Sequence, residues 1–172
     1  DASSGQELYD KNGYKRMSPA SLTKLTTCII ALEYGHLGDI VEISNKAGAT
    51  SVGSTIGLTA GDKITLGNLI EAALITSAND STVAIAEHIA GSHDVFINLM
   101  NKKAVAMGAL ETKFENTNGY SSVNHYTSAR DLAIITRYAL QNETINRLVG
   151  TREITVAWYN KKKEETIKNT NR

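Results

Sequence analysis

The chain of 172 residues has a single cysteine, Cys28, so no disulfide can form within it. Cys28 lies in the apolar stretch 25–32, where a buried structural thiol is expected, and the redox compartment is left open. No stretch approaches the roughly 18 consecutive apolar residues of a membrane span. The opening Asp1-Ala2-Ser3-Ser4-Gly5 lacks the basic and apolar regions of a signal peptide, so any targeting segment is expected to have been removed. Neither charge is in excess, since eighteen Lys and Arg balance eighteen Asp and Glu. The longest like-charge run, Lys161-Lys162-Lys163, is followed by Glu164-Glu165 and reads as a solvated hairpin. A polyanion-binding surface, and with it a nucleic-acid partner, is not expected. The four histidines, His36, His88, His93 and His125, are scattered and form no ligand-spaced cluster, so neither metal nor cofactor is expected. There is no repeat, low-complexity segment or linker rich in proline or glycine, and a 41% hydrophobic share supports one core. Residues 1–172 are therefore read as one α+β domain.

What is present is mostly helical periodicity. Leu8-Tyr9 before Asp10-Lys11-Asn12-Gly13 reads as the end of a strand entering a turn. Pro19 opens a helix in which Leu22, Leu25, Ile29 and Leu32 recur at helical spacing up to Gly35. A short strand is expected over 39–44, followed by an irregular region punctuated by Gly48, Gly53, Gly57 and Gly61. Leu66, Leu69, Ile70, Ala73 and Leu74 make a second helix, broken over 76–80, and Val83, Ala86 and Ile89 carry a third to Gly91. Ser92 can cap a fourth helix ending near Gly108, and Thr127 or Ser128 a fifth. The β-branched and aromatic stretch 153–159 predicts a strand, with a turn at Asn160-Lys161 leading to a second strand around Thr166-Ile167.

Chemistry is suggested by Ser21-Leu22-Thr23-Lys24, because a serine three residues before a lysine shares a helical turn with it. Serine needs an adjacent base to act as a nucleophile, and lysine can serve if burial or nearby positive charge lowers its pKa. The pattern alone is weak, arising by chance on the order of once in a chain of this size. In the bland alternative Ser21 caps the helix and Lys24 is solvated, although a cation near a helix N-terminus is mildly unfavourable. Ser-x-Asn occurs twice, as Ser77-Ala78-Asn79 and Ser122-Val123-Asn124. The first lies at a break between two apolar helical stripes, where a polar interruption can project into a cleft, and is preferred.

Ser-x-x-Lys followed by Ser-x-Asn resembles the penicillin-binding proteins and serine β-lactamases. Pro19-Ala20-Ser21-Leu22-Thr23-Lys24-Leu25 and Leu74-Ile75 before Ser77-Ala78-Asn79-Asp80-Ser81 resemble the serine D-alanyl-D-alanine carboxypeptidases, peptidase family S11. Residues 1–12, Asn116-Thr117-Asn118-Gly119 and Ser128-Ala129-Arg130-Asp131-Leu132 agree in the expected order. The third family motif, Lys-Thr-Gly, is absent, and Asn169-Thr170-Asn171-Arg172 resembles sequence shortly before it. The domain therefore reads as truncated at its C-terminal end, a helical cluster on an incomplete antiparallel sheet of β-lactamase/transpeptidase type.

The resemblance implies that Ser21 attacks the bond between two terminal D-alanines of a peptidoglycan stem peptide, with Lys24 as base. Ser77 would relay a proton to the leaving amine, Asn79 would hydrogen-bond Lys24 and a substrate amide, and the Ser21 backbone N–H would supply one oxyanion donor. Penicillins would acylate Ser21, and the setting would be extracytoplasmic. Membrane association of the intact protein is left open, and an incomplete sheet suggests self-association of this chain. The rival readings are a serine β-lactamase, with Glu115 as the nearest suspect for a water-activating glutamate, and a non-catalytic β-lactam or cell-wall sensor.

Overall fold

A computed structural model describes residues 1–171; Arg172, at the end of the stretch read as preceding Lys-Thr-Gly, lies outside the described residues. Pro19 leads into a 3₁₀ turn over Ala20–Leu22, and α1 follows over Thr23–Tyr34. The apolar half of α1, with Cys28, Ile29, Ile30 and Ala31, enters the core, and the thiol is fully buried as expected. Strand β1 (Ile40–Glu42) pairs antiparallel with β2 (Lys63–Thr65), placing Val41 opposite Ile64. Between them Ser44 caps the short α2 (Asn45–Gly48) by accepting the Ala47 N–H.

Helix α3 (Leu66–Ile75) is capped by Thr65, and α4 (Asn79–Ala90) ends where Gly91 turns left-handed at φ 70°. Helix α5 (His93–Met107) begins at the Ser92 cap and stops at Gly108, α6 (Ala129–Ala139) is capped by Ser128, and α7 (Glu143–Val149) by Asn142. Each cap oxygen accepts an N–H that the first helical turn leaves without a partner. Strands β3 (Glu153–Ala157) and β4 (Glu164–Lys168) form an antiparallel hairpin with Ile154 opposite Ile167. Ile30, Leu69, Ile70, Ile85, Phe96 and Met100 are fully buried where α1, α3, α4 and α5 meet. Each such side chain contributes about 1.5–3 kcal/mol through burial.

The α+β class is observed, with two separate two-stranded sheets among the described residues. Three expectations need correction. Leu8 and Tyr9 lie in no strand and are 73% and 79% exposed, because among the described residues no strand pairs with them. Strand 39–44 shrinks to three residues once Ser44 is diverted to capping α2. The lysines of 161–163 do more than face solvent. Trp158 Nε1 donates to Asp62 Oδ2 at 2.8 Å, Lys161 Nζ pairs with Asp62 Oδ1 at 2.5 Å, and Lys163 Nζ sits 3.8 Å over the Trp158 ring. Strand β2 and helices α2 and α7 were not anticipated, being short and weakly periodic. No helix among the described residues is long and apolar enough to cross a membrane.

Candidate active site

The 3₁₀ turn presents Ser21 to solvent while α1 buries the residue three positions on. Lys24 is 2% exposed; its Nζ lies 3.2 Å from Ser21 Oγ and donates to the Asn118 carbonyl at 2.7 Å. Burial disfavours the ammonium and lowers the Lys24 pKa from 10.5 to about 8, with the nearby Cys28 opposing slightly. The bland alternative fails on both counts, since Lys24 is not solvated and neither Ser21 nor any other side chain caps α1. A serine hydroxyl beside a lysine whose pKa is lowered to about 8 is an arrangement that can support nucleophilic chemistry, the lysine serving as base.

The partner of Lys24 comes from the loop 115–120. Asn116 Oδ1 accepts the N–H groups of Gly119 at 2.7 Å and Tyr120 at 3.0 Å, folding the loop into a tight turn. Thr27 Oγ1 donates to the Thr117 carbonyl at 2.8 Å, so α1 grips the loop at two points. Gly119 has φ 92°, and a Cβ there would lie 1.8 Å from the Ala20 carbonyl oxygen, so only glycine lets the loop seat against the turn that carries Ser21. Behind the loop, buried Asp131 accepts the Glu111 N–H at 2.6 Å and the Thr112 hydroxyl at 2.7 Å. The stretch 116–119 thus packs against the turn that carries Ser21, while 128–132 starts α6 and holds residues 111–112 through Asp131.

Ser77 occupies a left-handed turn, φ 61°, between α3 and α4 and is half-buried. Asn79 is 7% exposed, and its Nδ2 donates to the Val52 carbonyl at 2.8 Å while its N–H donates to the Ser54 carbonyl at 2.7 Å. Among the described residues neither Ser77 nor Asn79 hydrogen-bonds Lys24, which departs from the expectation for Asn79. The cause is the loop 51–54, which lies so close that a Cβ on Gly53 would meet Asn79 Nδ2 at 2.6 Å. Asp80 fastens the segment that follows this loop by accepting the Ile56 and Leu58 N–H groups at 3.2 and 3.1 Å. Burial raises the Asp80 pKa, and these amides partly offset it. The alternative Ser122 lies in an exposed turn, bonded to Glu115. The Glu115 carboxylate is held by Ser122 and Asn124, which lower its pKa. Among the described residues no group of three or more His, Cys, Asp or Glu could hold a metal ion.

Sequence reading did not find the Asn118 carbonyl, the tight fit of Gly119 or the buried pair Thr23 and His125. The only local signal for them was the Asn-Gly step at 118–119.

The sequence model of Peptidase_S11, D-alanyl-D-alanine carboxypeptidase, matches residues 1–172. The chain belongs to this family. D-alanyl-D-alanine carboxypeptidase DacF of Bacillus subtilis is 40% identical over 154 residues, covering 87% of this chain and 39% of that protein. Penicillin binding protein 5 of Haemophilus influenzae superposes with a TM-score of 0.87 at 32% identity, covering 98% of this chain and 50% of that one. A mutant of Streptomyces K15 DD-transpeptidase gives a TM-score of 0.92 at 28% identity, with 99% and 71% covered. This S11 family chain spans 39% of the length of DacF and 36% of that of D-alanyl-D-alanine carboxypeptidase DacA of Escherichia coli.

Proposed function

We propose that the chain is part of the catalytic domain of a serine D-alanyl-D-alanine carboxypeptidase acting on peptidoglycan stem peptides outside the cytoplasm. The observation that carries the reading is Lys24, buried, with its pKa lowered to about 8 and its Nζ 3.2 Å from Ser21 Oγ, in a chain of this family. Neutral Lys24 takes the Ser21 proton as Oγ attacks the carbonyl of the penultimate D-alanine. The tetrahedral intermediate collapses to an acyl-enzyme, the terminal D-alanine leaves with a proton relayed through Ser77, and water later releases the shortened peptide. Asn79 binds the substrate amide, which requires its Nδ2 to exchange the Val52 carbonyl for the substrate carbonyl. Penicillins acylate the same serine. The β-lactamase reading draws no support from Glu115, whose carboxylate is engaged by Ser122 and Asn124.

The test is intact-mass analysis after exposure to penicillin, with peptide mapping and a Ser21→Ala control. An adduct on Ser21 that the control lacks is the expected result. Absence of an adduct, both here and in a chain extended to the length of the relatives, would overturn the reading. Release of D-alanine from a diacyl-pentapeptide by the extended chain separates a carboxypeptidase from a sensor that is acylated without turnover.

A further inference from the structure

One imidazole joins the first turn of α1 to the loop that serves Lys24. His125 is 2% exposed and Thr23 1% exposed. The Glu115 backbone N–H donates to His125 Nδ1 at 2.9 Å, and Nε2 lies 2.8 Å from Thr23 Oγ1. A backbone amide can only donate, so Nδ1 carries a lone pair and the neutral ring holds its proton on Nε2, which donates to Thr23. Thr23 directly precedes Lys24, and Glu115 opens the loop whose Asn118 carbonyl accepts from Lys24 Nζ at 2.7 Å.

We propose that His125 is a positioning residue for Lys24: as the Nε2–H tautomer it ties Thr23 to the Glu115 backbone, and its protonation frees the loop and the Lys24–Asn118 contact. The consequence for rate rests on the acyl-enzyme reading above; the coupling itself does not. Protonation would place a second N–H on Nδ1, facing the Glu115 N–H donor to donor, and a buried hydrogen bond left unmade is costly.

The ring's surroundings set the direction of the switch. Phe114 packs on it with ring centroids 5.7 Å apart, and α1 faces it with the uncharged Thr23 hydroxyl. The charged group acting on it is the Glu115 carboxylate, which favours the imidazolium but is itself held by Ser122 and Asn124 and attracted by Lys113. Burial is the larger effect and lowers the His125 pKa below 6.5, so the tie is closed at neutral pH and opens in acid.

The experiment follows the Lys24 side-chain carbon and nitrogen signals by NMR from acid to mildly alkaline pH, in the chain as it stands. Wild type is expected to show two inflections, one at the lysine's own pKa of about 8 and one in acid that coincides with the imidazole titration. In His125→Gln, which keeps a donor and an acceptor but cannot titrate, the acid inflection disappears. Thr23→Val keeps the ring and cuts its tie to α1, so there the imidazole still titrates but Lys24 no longer senses it. No acid inflection in wild type, its persistence in either variant, or a ring protonated on Nδ1 when neutral would each overturn the proposal. The acylation rate adds the functional reading. Below the lysine pKa it falls about tenfold per pH unit, steepening to about a hundredfold once the imidazole also titrates, in wild type alone. A chain that acylates at no pH counts against the acyl-enzyme reading only, because the Lys24 inflections are read without substrate.

Discussion

Gly119 makes the tightest approach in the site, main chain against main chain, so an added methyl cannot be relieved by turning a side chain. Gly119→Ala is expected to cost about 2–4 kcal/mol, from a left-handed alanine plus overpacking. Urea denaturation measures this, and penicillin labelling of Ser21 should be lost with it; near-normal stability and labelling would mean that the loop sits elsewhere. Lys24 carries the pH dependence. Its folded pKa of about 8 lies below its ordinary 10.5, so the unfolded chain binds the proton better and burial of the ammonium costs stability below about pH 8. That cost is relieved as pH rises from about 8 to 10.5. The denaturation midpoint of wild type relative to Lys24→Met should rise across this window, while the variant acylates about 10²–10⁴-fold more slowly.

At the scale of elements, the β3–β4 hairpin is fastened to β2 through Asp62, which is 5% exposed. Burial opposes its ionisation, but hydrogen bonds from Lys161, Thr59 and Trp158 prevail and hold the carboxyl below its ordinary pKa. A carboxylate with a depressed folded pKa stabilises above its unfolded value, and that stability is lost as pH falls through the folded one. Asp62→Ala leaves the Trp158 N–H without its acceptor and should cost about 1–3 kcal/mol. The chain has one tryptophan, so a red shift of its emission at neutral pH would report the loosened hairpin directly. An unshifted spectrum would place the fastening in strand pairing alone. Helix caps are a smaller matter: Ser128→Ala removes the acceptor of the Asp131 N–H and should cost about 1 kcal/mol in thermal unfolding.

Across the whole molecule, stability is concentrated where α1, α3 and α4 bury their apolar faces, whereas residues 1–16 are mostly exposed and have few backbone hydrogen bonds. Hydrogen exchange should find amides of α1, α3 and α4 opening only with global unfolding, and those of residues 1–16 exchanging rapidly. Rapid exchange in α1 would contradict the packing that desolvates Lys24. What the sequence alone determined is local: the apolar stripes of α1, α3 and α4, the cap at Ser92 and a cap at Thr127 or Ser128, the β3–β4 hairpin, and the spacing that sets Lys24 one turn from Ser21. These follow from periods of a few residues, which a sequence displays directly. Tertiary structure decided the rest. It buried Lys24 and so shifted its pKa, supplied the Asn118 carbonyl from 94 residues away and the His125 ring from 102 residues beyond Thr23, and turned Asn79 to Val52. Desolvation and long-range hydrogen bonds depend on which segments meet in space, and spacing along the chain carries no record of that.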